Sequence, residues 1–100
     1  MKVSFSTAID GIDALLTPTA VTPAVAVDSI NQNTTPAVFT RWVNFLDLCA
    51  VALPNGFTRG GLPTSLQIVC RAYAEPLALR IGHAYQAAHD WHQRVPPMAA

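Results

Sequence analysis

Residues 48–53 read Leu-Cys-Ala-Val-Ala-Leu, a run with no polar position on either alternating face, closed by Pro54. A strand with one face in water alternates apolar and polar side chains. One that is apolar on both faces needs a layer above, a layer below and a paired neighbour on each edge. The chain has 100 residues from which to supply all of these. That length makes one domain at most, and a chain so short buries a modest share of its surface.

Hydrophobic residues make up 51% of the sequence and charged residues 12%, against roughly 25% charged in an ordinary soluble domain. The chain therefore has few groups to spread over a solvated surface, and something else is expected to cover part of it. Six basic and six acidic residues cancel to zero net charge and neither sign clusters, so the electrostatic footprint of a nucleic-acid binder is missing and that class of partner is excluded. No run approaches the roughly 18 apolar residues that span a bilayer. The start, Met1 to Ser6, carries a charge but leads into polar residues and Asp10 rather than the apolar region of a signal peptide. No membrane partner is expected, and the chain reads as cytoplasmic. Cys49 and Cys70 are too few for a disulfide framework, and both sit in apolar runs where a free thiol behaves as a small hydrophobe.

Along the chain, Phe5, Ile9 and Ile12 fall at helical spacing, with Ser6 and Thr7 able to cap, which predicts the end of an amphipathic helix stopping at Gly11. Asp13 to Thr19 is a short apolar run broken by Pro18, a buried strand expected to end at Thr17. Residues 19–35 hold Pro23 and no sustained period, and read as an extended loop. Thr34 or Thr35 can cap a helix with Pro36 in its first turn and Phe39, Trp42, Val43 and Leu46 on one face. After the 48–53 strand, Gly56, Gly60, Gly61 and Pro63 mark the long tip of a hairpin whose second strand is 65–70. Glu75-Pro76 opens a last helix, with Leu77, Ile81, Ala84, Tyr85, Ala88 and Trp91 in its stripe, expected to run from about residue 75 to about residue 92.

The 48–53 and 65–70 strands should be antiparallel neighbours with the last helix packed on one face. Three strands and two or three helices do not close around a strand that is apolar on both sides. The partner layers are missing from the 100 residues, so the sequence reads as one segment of a larger α/β domain.

The order of its motifs resembles the end of the amidase-signature enzymes, a family of α/β hydrolases several times this length. The residues that carry the likeness are Asp13-Ala14-Leu15-Leu16-Thr17-Pro18-Thr19, then Phe39-Thr40-Arg41-Trp42-Val43-Asn44, then Leu53-Pro54-Asn55-Gly56-Phe57 and Gly61-Leu62-Pro63 with the Leu66-Gln67-Ile68 strand. Together they cover nearly the whole chain. Asp47, Cys49 and Ser65 stand where glycine, proline and glycine are frequent, and the Leu46-Asp47-Leu48-Cys49 version is similar to a subset that includes allophanate hydrolases. The resemblance implies a fold class: α/β, a C-terminal fragment of the amidase-signature fold with mixed sheet strands flanked by helices, incomplete on its own.

It also implies the chemistry of the intact enzyme, hydrolysis of an amide C–N bond by a serine nucleophile, a second serine and a lysine base. A hydroxyl is a weak nucleophile until a base takes its proton, and a lysine serves only if its surroundings lower its pKa. The Gly-Gly-Ser-Ser-Gly-Gly stretch that presents the family's serines does not occur, and the one lysine is Lys2. Ser4, Ser6, Ser29 and Ser65 have no glycine-rich turn around them. No catalytic residue is expected here, and no cofactor. Strand ends and helix starts are where α/β folds place ligand contacts, so Thr17, Pro18, Thr19, Phe39 and Thr40 are the candidates for substrate binding, with a purely structural role open to each. Thr40 and Asn44 could instead satisfy backbone groups at the helix start. In the related transfer-RNA amidotransferases an acidic residue tends to stand three positions before the threonine. Here that place is Ala37, a departure that puts a glutamine-binding role in doubt.

His89 and His92 lie three apart, but no converging ligand accompanies them, and a solvated helix face is expected in place of a metal site. Trp42 and Trp91 read as core aromatics, and Arg59 and Arg71 as solvated. The expected partners are the remaining amidase portion or a second copy of the chain, with a small amide substrate only in the intact enzyme. The alternative is a small non-enzymatic module that self-associates or binds a partner protein through its exposed edges.

Overall fold

The computed structural model describes residues 2–29 and 36–99. Its frame is a three-stranded sheet of β1 (Leu15–Pro18), β2 (Cys49–Phe57) and β3 (Pro63–Cys70), in the order β1-β3-β2, with both pairings antiparallel. The α-helices are α1 (Lys2–Ala8), α2 (Arg41–Phe45) and α3 (Glu75–Ala88). Short 3-10 turns lie at Val27–Ser29, Pro36–Phe39, Trp91–Gln93 and Pro97–Ala99. The expected hairpin and the helix on one face are both present.

The strand covered on both faces is β3, whereas the sequence points to the 48–53 run. Gln67, Ile68, Val69 and Cys70 are all buried, while Ala50 and Ala52 on β2 are exposed. Of the three strands, β3 alone has a partner on each side. On the α3 face Ile68 and Cys70 join Ala78 in a cluster packed by Cys49, Val51, Leu53, Leu66, Leu77 and Ile81. Leu15 and Val69, paired across the sheet, point to the other side. There Phe5, Ile9, Ile12 and Leu48 close over them, leaving about 10 Å³, no more than about one water molecule needs.

Edge position explains two strand ends that run past their expected limits. β1 includes Pro18, opposite Leu66, and β2 continues through Pro54 to Phe57, opposite Pro63. A proline lacks an N–H for the ladder, which is harmless where one side of the strand is unpaired. β2 absorbs its turn residues in a bulge at Asn55, between the Pro54–Ser65 and Gly56–Thr64 pairs. The hairpin tip shrinks to residues 58–62, closed by Thr58 N–H to Leu62 C=O at 2.8 Å, with Gly61 at φ +87°.

The helix predicted from Pro36 is a 3-10 turn, kinked inside at a non-helical Ala37 (φ −87°, ψ 20°), and then, after Thr40 (φ −113°, ψ −28°), the short α2. The cap expected at Thr34 or Thr35 lies outside the described residues. Asp47, where the family pattern favours glycine, takes φ +57° between α2 and β2, a left-handed conformation that aspartate tolerates better than most residues. The last helix stops at Ala88, about four residues early, because His89 is extended (φ −141°, ψ 160°). The chain then folds back on the hairpin. Trp91 meets Phe57 edge-on at 6.1 Å, His89 lies against Tyr85 at 4.6 Å, and the Arg94 guanidinium sits 4.7 Å over Trp91. These aromatic contacts outweigh the last turn of helix. They also take His89 and His92 off the shared helix on which a metal-binding pair would depend. Arg71 is exposed, as expected, and also donates to Ile12 C=O at 2.6 Å and Ile9 C=O at 2.7 Å, satisfying carbonyls that follow α1.

The result is a slab of 45 × 37 × 19 Å with a radius of gyration of 15.4 Å, against about 13 Å for a compact domain of this length. Its accessible surface is 7331 Å²; a closed monomer of 10.7 kDa would show about 5,500 Å². Leu16, Val38, Phe45, Leu79 and Val95 are each more than half exposed.

Gly82 sets how closely α3 approaches the sheet, since a Cβ there would stand 3.2 Å from Leu53 Cδ1. Gly82→Leu should lift the helix and cost about 1–3 kcal/mol, read as a lower urea midpoint by tryptophan fluorescence. Gly82→Ala should be close to neutral, because a gain in helix propensity of about 1 kcal/mol offsets a small shift of the Leu53 terminus.

Candidate functional site

The candidate residues gather around Gln67, the one polar member of the buried Gln67–Cys70 run. Its amide nitrogen donates to Thr17 Oγ1 at 3.0 Å and to the Phe39 carbonyl at 2.7 Å. One side chain on the central strand thus ties the neighbouring β1 to the 3-10 turn that leads into α2. A buried amide with partners for both N–H groups escapes the desolvation penalty that an unpaired one would carry. The next residue along β1's face, Thr19, shares a 2.7 Å hydroxyl–hydroxyl bond with Ser65, and its N–H donates to Ser65 C=O at 3.2 Å.

The five candidates fall into three groups. Thr17 and Thr19 stand side by side on the face of Gln67 and Ser65. Phe39 reaches them through its backbone carbonyl, and Thr40 follows it with its hydroxyl turned back to Ala37 C=O at 3.4 Å, a backbone role already open to it. Pro18 points to the opposite face of β1 and is exposed. Beside β1 runs an open cleft of about 530 Å³, lined by residues 16–24 together with Asn55 and residues 63–66. Thr17, Pro18 and Thr19 line it; Phe39 and Thr40 do not.

Sequence reasoning does not single out Gln67 or Asn55, and passes over Ser65 as a ligand contact. A glutamine inside an otherwise apolar strand is a visible signal, since a buried polar group must find partners. Which partners it finds is not visible, because Phe39 lies 28 residues away and Thr17 50 residues away.

Among the described residues none that lines the cleft is titratable, so none of them is a base that could activate a hydroxyl. What it offers is neutral hydrogen bonding beside apolar walls. Thr17 spends its proton on Pro18 C=O at 2.9 Å and accepts from Gln67, which leaves it an acceptor lone pair. Thr19 and Ser65 share one proton between them and keep one to donate. Among the described residues no group of three or more His, Cys, Asp or Glu gathers to hold a metal. Nor is any helix among them long and apolar enough to cross a membrane.

The family model for Amidase matches residues 1–79. The chain belongs to the amidase-signature family. Among curated proteins it is similar to a glutamyl-tRNA(Gln) amidotransferase subunit of Geotalea daltonii, 35% identical over 94 residues, which cover 90% of this chain and 19% of that one. The proteins of the same name from Geobacter metallireducens and Hahella chejuensis are 37% and 36% identical, over 88% and 98% of this chain and 19% and 21% of their own lengths. The chain spans about a fifth of the length of the curated relatives it matches. The family match stops short of residues 80–100, which hold the second half of α3 and the aromatic cluster on the hairpin.

Gln67→Leu should remove both donated bonds at once and leave the Phe39 carbonyl and Thr17 hydroxyl facing an apolar side chain. The expected loss is about 1–3 kcal/mol in equilibrium unfolding, with faster hydrogen exchange at residues 36–45. A variant as stable as the parent would show that the link does not hold β1 to the turn.

Proposed function

We propose that this chain is the carboxy-terminal segment of an amidase-signature hydrolase. In this reading it supplies part of the sheet and one wall of the substrate cleft, while amide C–N hydrolysis depends on a serine–serine–lysine set that these 100 residues lack. The observation that carries the reading is the accessible surface, about a third larger than that of a closed monomer, in a chain that matches a fifth of its relatives. The excess exceeds the roughly 800 Å² that one partner contributes to a standard interface. Leu16, Val38, Phe45, Leu79 and Val95, each more than half exposed, are the side chains that further layers of the same domain would cover.

Within that reading Thr17, Pro18 and Thr19 face a small amide along the cleft, while Phe39, whose carbonyl holds Gln67, and Thr40, bonded back to Ala37, set the geometry behind the wall. The uncharged lining favours a neutral amide, and the spare acceptor on Thr17 suits an amide N–H. The relatives are named as one subunit of their amidotransferase, which favours a protein partner for the intact enzyme, in the cytoplasm. A second reading, a module that self-associates or binds another protein, draws on the same exposed Leu16, Val38 and Phe45. Sequence adjoining the coding region separates the two. A Gly-Ser-rich serine motif with a lysine in matching context favours the enzyme segment.

The purified chain should show no turnover of propionamide or benzamide above the blank. Clear turnover abolished by alanine at one of Ser4, Ser6, Ser29 or Ser65 would overturn the proposal. The chain should also self-associate or be recovered largely insoluble, as read by sedimentation at low micromolar concentration. A soluble monomer with a sharp, concentration-independent thermal transition would count against the segment reading.

A further inference from the structure

Cys49 opens β2, Cys70 closes β3, and the two are direct register partners in the antiparallel pair. Opposed residues in such a pair share a face, with Cα atoms about 4.5–5.5 Å apart, inside the roughly 4.4–6.8 Å range that a disulfide spans. The face is the one under α3. Cys70 belongs to the Ile68–Ala78 cluster and is 3% exposed, and Cys49 packs against that cluster. Both thiols are free. Their access to solvent differs. Cys49 is half-buried and lines an open cleft of about 560 Å³ between the turn at Asp47 and the start of α3 at Glu75.

We propose that Cys49 and Cys70 are a paired dithiol that a peroxide closes to a cross-strand disulfide, fastening β2 to β3 beneath α3. The Cys49 thiolate, reached through the cleft, attacks one peroxide oxygen. The O–O bond breaks and the departing oxygen leaves as water or an alcohol after protonation, with Cys49 as the sulfenic acid. The Cys70 sulfur then attacks the Cys49 sulfur, the S–O bond breaks, and water departs carrying the Cys70 proton. Two electrons pass from the two thiols to one peroxide molecule.

The surroundings make this a slow staple and not a rapid sensor. Burial, then the Glu75 carboxylate, pushes the Cys49 thiol above its ordinary pKa. Burial, then Cys49 and Asp13, does the same for Cys70. Cys49 also donates its proton to Arg71 C=O at 3.3 Å. The thiolate is the reacting form, so closure is slow at neutral pH and speeds up about tenfold per pH unit until the thiol pKa is reached.

The test treats the full chain with hydrogen peroxide at pH 8.5 and follows it by intact mass, maleimide labelling and non-reducing peptide mapping. The expected product is a single-polypeptide mass lighter by two hydrogens, with both thiols blocked, a peptide linking 49 to 70, recovery by dithiothreitol and a raised Tm. Cys70→Ser should instead leave a dimedone-reactive sulfenic acid on Cys49. Thiols that still label, separate overoxidation with no link, or links found only between molecules would each overturn the proposal. The wild-type map decides the matter even if the serine variant fails to fold.

Discussion

Every other part of this structure leans on β3, the strand with a partner on both edges and cover on both faces. The Gln67–Cys70 run is buried without a break, and its four side chains organise three different surroundings. Ile68 and Cys70 hold α3, Val69 meets the α1 side, and Gln67 reaches β1 and the turn before α2. Burying four consecutive residues is possible only because hydrogen bonds to β1 and β2 satisfy the strand's own backbone on both sides. Once β3 is central, the outer strands are free to carry prolines, a bulge and exposed alanines.

The core that this strand anchors is nevertheless small. Ile68 is the one large side chain buried beyond 98% among the described residues, and the buried apolar set has five members. Burying a Val, Leu or Ile side chain contributes roughly 1.5–3 kcal/mol, and a whole domain is stable by only about 5–15 kcal/mol. Side chains such as Leu16 and Val95, left mostly in water, therefore represent a large fraction of the stability a closed fold would have. The thin slab and its surplus surface describe a sheet with α3 over one face, narrower cover from the α1 side on the other, and apolar positions still open. That geometry fits membership of a family whose relatives are about five times longer.

How far the sequence reveals this depends on whether the relevant partner is near in the chain. The β2–β3 hairpin and the α3 stripe are legible because a glycine-proline turn cluster and a helical period are local signals. Pro18 and Pro54 read as strand stops, since nothing local says that a strand is an edge; that fact belongs to the sheet order. The early end of α3 at Ala88 is hidden for the same reason, because the competing contact is Trp91 on Phe57, 34 positions away in sequence. Arg71 looks like an idle surface cation until its carbonyl partners at Ile9 and Ile12, about 60 residues earlier, come into contact. At the candidate site, Thr17 and Thr19 are legible as residues at a strand end. The glutamine that fixes one of them, and the serine that binds the other, are visible as residue types but not as partners.

The candidate site also shows why a segment with so little core can still hold ordered polar groups. Thr17, Thr19, Ser65 and Gln67 bond chiefly to one another and to backbone carbonyls, so their orientations follow from the register of β1 on β3. A register slip of one residue would turn the hydroxyls to the opposite face. It would also leave the Phe39 carbonyl without its donor, so the apolar pattern and the polar network enforce the same alignment. Because the bonds are internal, what these four residues leave for the cleft beside them is the spare lone pair on Thr17 and one hydroxyl proton of the Thr19–Ser65 pair. Such a surface offers a neutral N–H group an acceptor whose position is fixed by the strand register.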